Sequence, residues 1–231
     1  MSDFMLFVAF PYVAMIVAVA GGIYRYYADR FSYSSQSSQF LENRTLFWGS
    51  VPWHYGIVLI LLAHLLALLF PAPWTALMAA PIRLYVLEVT GMALALLAFV
   101  GLALLILRRL RNSRASVVTT LADWILLVVL LAQVILGFLE AYFYRWGSVW
   151  YVQTDVPWLI SLLTLNPQVQ YINALPLVAR LHTLNGFIIF ALFPFTRLVH
   201  LVTFPITYLW RPFQVAIWNR RARADNNESV L

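Results

Sequence analysis

Cysteine and lysine do not occur in these 231 residues. Without cysteine the chain forms no disulfide and holds no thiolate metal site or iron–sulfur cluster of its own. It also has no thiol nucleophile and no covalently attached c-type haem, which needs Cys-x-x-Cys-His. Charge is scarce as well. Charged residues make up 10% of the chain and hydrophobic residues 63%, against about 25% and 45–50% in an ordinary soluble domain. This inventory cannot cover a water-exposed surface, so lipid must cover much of the outside. The length fits one membrane domain and no additional soluble catalytic domain.

All fifteen positive side chains are arginines, and the net charge is +6. In a soluble protein a pI near 9.8 would suggest a nucleic-acid partner. Here the arginines cluster between apolar runs, as the positive-inside rule requires, and no nucleic-acid partner is expected. The apolar runs predict an all-α bundle of five transmembrane helices over about 4–24, 53–70, 85–107, 117–143 and 176–204. The first begins with Asp3 and no positive residue, and it reads as a retained helix and not as a signal peptide. The apolar piece Val156–Leu165 is too short to cross a core of ~30 Å and is expected to lie in the interface. Trp53, Trp74, Trp146, Trp150, Trp158 and Trp210 fall near span ends, where aromatic anchors gather.

Arginine placement orients the bundle. Arg25, Arg30, Arg44, Arg108, Arg109, Arg111, Arg114, Arg211, Arg220, Arg221 and Arg223 fall on one side, against Arg83, Arg145 and Arg180 on the other. This predicts an N-terminus outside and a C-terminus inside a prokaryotic plasma membrane. The basic loop 108–116 and the tail 211–231 are then the candidate docking face for a partner.

The only four histidines, His54, His64, His182 and His200, lie in the second and fifth spans. Ionisable groups inside membrane spans are costly and point to function. The second span runs outward and the fifth inward, so depth pairs His54 with His200 (inner) and His64 with His182 (outer). Ten residues in a helix rise ~15 Å and eighteen rise ~27 Å. Tilt and a kink at Pro194 must absorb the mismatch. Two pairs at different depths, with no carboxylate three or four residues from any histidine, fit two haem b groups held by bis-histidine ligation better than one compact metal centre. Arg180 and Arg197 precede His182 and His200 closely and are candidate partners for haem propionates; snorkelling to headgroups is the alternative. Gly91, Gly101, Gly137 and Gly186 offer close approach to a neighbouring helix or a flat macrocycle.

Several stretches resemble the gamma subunit of membrane-bound respiratory nitrate reductase, a di-haem cytochrome b. They are Arg180-Leu181-His182, Phe193-Pro194-Phe195-Thr196-Arg197-Leu198-Val199-His200, Ser37-Ser38-Gln39 with Leu41, and Thr119-Thr120-Leu121-Ala122-Asp123, together with the histidine spacings. The resemblance implies that quinol is oxidised beside the outer haem. It also implies that electrons reach an iron–sulfur beta subunit and a molybdenum-containing alpha subunit that reduces nitrate. His64 and His182 would hold the distal haem, and His54 and His200 the proximal one. The family carries a lysine on the segment entering the third span, associated with quinol binding; this chain offers Arg83, Tyr85 and Glu88 there. Glu140, Tyr142 and Asp155 fall on the same outer side, and Glu88 or Glu140 is the expected proton acceptor. Two other readings stay open: a di-haem subunit of another quinone-linked reductase, of the heterodisulfide or sulfite type, and a proton-relay transporter. The latter would show internal repeats, which are not seen here.

The absence of cysteine makes the orientation testable. Single cysteines placed at Ser2 and Ser229 should differ, with an impermeant thiol reagent labelling intact cells at the first position only. Labelling at the second would reverse the orientation.

Overall fold

The computed structural model describes residues 2–29, 32 and 44–202. The motif residues Ser37, Ser38, Gln39 and Leu41, together with Arg30, Trp210 and the basic tail 211–231, lie outside the described residues. Among those described the fold is all-α, with five helices long and apolar enough to span a membrane. They are α1 (Met5–Ala28), α2 (Arg44–Leu69), α3 (Pro81–Arg111), α4 (Leu121–Phe143) and the segment Leu177–Phe195, of which α5 is the α-helical part Leu177–Leu192. Backbone polar groups in hydrocarbon must be paired within their own segment, which leaves the helix as the available form for each.

The helix ends follow local chemistry. Helix α3 starts at Pro81, earlier than the apolar run suggests, because proline favours the first helical position. It runs on through Arg108, Arg109 and Arg111, whose charges suit a helix C-terminus. Helix α4 starts at Leu121 and not at 117, because Thr120 and Asp123 form a reciprocal capping box there. Helix α2 begins at Arg44 and carries Pro52 inside it; membrane helices tolerate an internal proline when neighbours satisfy the freed carbonyl. Helix α5 stops at Leu192. A 3-10 turn at Phe193–Phe195 holds Pro194, Thr196 is extended, and a second 3-10 turn covers Arg197–Leu201. The fifth span is therefore broken where a kink was expected, and His200 sits on the turn beyond the break.

Packing is sequential but not closed. Helix α2 packs on α3, α3 on α4, α4 on α5 and α5 on α1, while α2 makes no comparable contact with α5 or α1. Arginines clasp the ends. Arg25 of α1 donates to the carbonyls of Pro194 and Thr196 at 2.8 and 2.9 Å, covering acceptors that the break exposes. Arg180 of α5 pairs with Asp3 at 2.7 Å and lies over the Phe7 ring. The short apolar segment after α4 packs one face against the bundle. Val156–Leu163 is a helix, and Trp158 is fully buried edge-on to Phe7 and Phe187. Its indole N–H donates to the Phe7 carbonyl. Trp158 is thus a core residue joining α1 to α5, not a headgroup anchor.

The α2–α3 crossing depends on small residues. A Cβ added at Gly101 would lie 2.4 Å from the Trp53 amide nitrogen and 2.7 Å from the Gly49 carbonyl oxygen. At Gly91 it would meet nothing within 4 Å. Gly101→Ala should therefore cost about 1–3 kcal/mol through overpacking, read as a lowered unfolding midpoint in detergent. Gly91→Ala should leave that midpoint unchanged or slightly raised.

Candidate functional site

Histidines from α2 meet histidines from the last span at two levels. The His54 and His200 rings lie 6.2 Å apart, inclined by 72°. His64 is within electrostatic range of His182. Among the described residues the two backbones that carry these histidines make no close packing contact comparable to the other helix pairs. No group of three or more His, Asp or Glu close enough to hold a bare metal ion occurs among the described residues.

Three of the four imidazoles are set by the backbone. Nδ1 of His54 lies 2.7 Å from the Ser50 carbonyl oxygen, Nδ1 of His64 lies 2.8 Å from that of Ile60, and Nδ1 of His200 lies 2.5 Å from that of Arg197. A carbonyl oxygen only accepts, so each Nδ1 carries the proton and each Nε2 keeps its lone pair. That is the tautomer a metal takes, and a hydrogen bond at the remote nitrogen is the usual support of a ligating histidine. His182 differs. Its Nδ1 is buried without a partner, and its Nε2 lies 3.1 Å from the side-chain nitrogen of Gln133. A Cβ at Gly137 would sit 2.8 Å from the His182 Cε1, so the ring rests on a glycine of α4. Of the glycines singled out by sequence, Gly101 serves helix crossing and Gly137 the histidine ring. A Cβ at Gly186 would lie 3.8 Å from the Gln133 side-chain nitrogen.

These features answer whether the residues suit a pair of haems. The His54 and His200 rings meet at one level, His64 and His182 lie within electrostatic range at the second, and a glycine leaves room at the His182 ring. The donor set is neutral nitrogen on both sides, which fits haem iron.

The two arginines have carboxylate partners within the chain. Arg197 donates to Asp123 through Nε and Nη2 at 2.7 and 3.0 Å, and to the Val118 carbonyl. The Phe-Pro-Phe-Thr-Arg-Leu-Val-His and Thr-Thr-Leu-Ala-Asp motifs are therefore bonded to each other through this ion pair. Arg180 is held by Asp3, and its Nε is buried with no partner.

Of the candidate quinol residues, the structure brings some together and not others. Glu88 accepts from the amide and the hydroxyl of Ser148. Glu140 lies within electrostatic range of Glu88 and Asp155. Asp155 accepts from Thr183, the neighbour of His182, at 3.0 Å, and burial pushes its carboxyl up to about 6. Arg83 is turned away to the carbonyls of Leu77 and Ala76, and Tyr85 is exposed. Sequence reasoning missed Tyr151, whose ring lies 4.9 Å from that of His64 and whose hydroxyl donates to the His64 carbonyl at 3.2 Å. It also missed Gln133 and Asn185. A lone amide in the middle of an apolar span was the available signal for Gln133.

The family model for the nitrate reductase gamma subunit matches residues 3–219. The chain is 33% identical over 215 residues to the nitrate reductase-like protein NarX of Mycobacterium tuberculosis, covering 88% of this chain and 32% of that protein. It thus spans about a third of the length of that relative. It is 29% identical over 218 residues to the nitrate reductase gamma chain of Bacillus subtilis, covering 93% of this chain and 98% of that one. It is 33% identical over 212 residues to the respiratory nitrate reductase 2 gamma chain of Escherichia coli, covering 89% and 92%. A match over nearly the whole length, on a bundle with five membrane-spanning helices, means that this multi-pass bacterial membrane protein belongs to the nitrate reductase gamma subunit family.

Proposed function

We propose that this chain is the membrane subunit that oxidises quinol near the outer face of the membrane and delivers the electrons to a nitrate-reducing partner. The observation that carries the reading is the arrangement of the histidines. Imidazoles from α2 and from the broken last span, two segments that do not pack closely together, present unprotonated Nε2 atoms, with Nδ1 tied to a backbone carbonyl in three of the four cases. His64 and His182 would hold an outer haem b, and His54 and His200 an inner one. When bound, a bis-imidazole haem supplies one-electron transfer and leaves no open position for oxygen chemistry. Arg180 would receive a propionate, a reading supported by its buried Nε that lacks a partner; Arg197 would do so only from its ion pair with Asp123.

A quinol loses two protons with its two electrons, and this chain must accept those protons. Glu88, Glu140 and Asp155 form an electrostatically linked set at the His64–His182 level. Glu140 is the acceptor with the most carboxylate neighbours, and Glu88 is held by Ser148. Arg83 and Tyr85 would contribute at the rim. On the opposite side, Arg111 and Arg114 are exposed and offer charge to the iron–sulfur beta subunit, with a molybdenum-containing alpha subunit beyond it. No nitrate-reducing centre is assigned to this chain.

Histidine substitution tests the pairing. In redox titrations of the purified complex, His54→Ala and His200→Ala should each remove one and the same haem component. His64→Ala and His182→Ala should each remove the other. Loss of a common component from His54→Ala and His64→Ala would refute the pairing.

A further inference from the structure

His182 is the one histidine whose ring is not set by a backbone carbonyl, and a chain of amides stands in that role. Asn185 of α5 donates from Nδ2 to the Val129 carbonyl at 3.0 Å and to Oε1 of Gln133 at 2.7 Å. The Val129 carbonyl can only accept, so the Asn185 amide nitrogen must face it. The same nitrogen then faces Gln133, which must present its oxygen to Asn185. The Gln133 nitrogen is thereby turned to Nε2 of His182, 3.1 Å away. An amide N–H donates, so Nε2 must be the unprotonated nitrogen and the ring proton must sit on Nδ1. The opposite tautomer would set two N–H donors against each other. Gly186 and Gly137 leave room on the two helices, with a Cβ at the first 3.8 Å from the Gln133 amide and at the second 2.8 Å from the ring.

We propose that Gln133, oriented by Asn185, is the positioning residue that holds Nε2 of His182 unprotonated before haem is loaded and must give way to the iron as it binds. This rests on the reading of His182 as an outer haem ligand. A nitrogen that ligates iron cannot also accept a hydrogen bond, so the Gln133 N–H is released on loading. The bond is made only in the empty site, so by linkage it opposes loading by as much as it stabilises that site. The inner site has no such dependence, since His54 and His200 both use backbone carbonyls. The outer site depends on it through one ligand only.

The test is haem occupancy of the whole complex purified from cells with limiting haem supply, read as the ratio of the outer to the inner component in a redox titration. Gln133→Met keeps the side-chain length and removes the donor. It should raise that ratio about 3–10-fold, the range expected for one hydrogen bond made only in the empty site, and surplus haem should erase the difference. Asn185→Leu leaves Gln133 in place but frees its amide direction, and should raise the ratio in the same sense. An unchanged or lowered ratio in both variants, or parallel loss of both haems, overturns the proposal. His182→Ala separates the two readings. If it leaves the outer component intact, the ligand assignment itself is wrong. If it removes that component while Gln133→Met and Asn185→Leu leave the ratio unchanged or lowered at limiting haem, only the role of Gln133 falls.

Discussion

A polar group left without a partner in hydrocarbon costs several kcal/mol, and the arrangement of this bundle follows from meeting that demand. The carbonyls exposed where the fifth span breaks are covered by Arg25. Asp123 is buried and is matched by Arg197 and by the Thr120 cap. The histidines obey the same rule, because each Nδ1 bonded to a carbonyl of its own turn removes one unpaired donor and leaves one lone pair. The same pairing leaves the Nε2 lone pairs that the proposed ligation requires. His182 departs from the pattern: its Nδ1 is buried without a partner, and an amide of the neighbouring helix meets its Nε2 instead.

The helix order explains why the site lies where it does. Packing through α2–α3–α4–α5–α1 fixes the relative positions of α2 and α5 without joining them. The close α2–α3 crossing at Gly101 and the Trp158 core between α1 and α5 hold the two histidine-bearing elements from their outer sides. Because ligands on a rigid frame keep their geometry when a cofactor enters, binding there costs less reorganisation than binding at a mobile loop. The broken fifth span is part of this frame. It lets Arg197 reach Asp123 while His200 turns toward His54.

Much of this was legible in the sequence, because composition and spacing act on single residues. The number and class of spans follow from apolar length, and the four histidines stand out because nothing else of their kind occurs in the chain. What could not be read depends on which side chains meet. Asp123 and Arg197 are 74 positions apart, and no local pattern announces their pairing. Trp158 looked like an interfacial anchor, since burial against Phe7 and Phe187 is a tertiary outcome. The Gln133–Asn185–Val129 chain needs two helices in register before its polarity has meaning.

The central claim is that this chain alone binds two haem b groups, each between a histidine of α2 and one of the last span. The most direct measurement is haem content per polypeptide by pyridine haemochromogen, together with the near-infrared magnetic circular dichroism of the oxidised purified subunit. The account predicts two b haems per chain, both low-spin with the charge-transfer band of bis-imidazole ligation. One haem per chain, or a band belonging to a different axial pair, would contradict it.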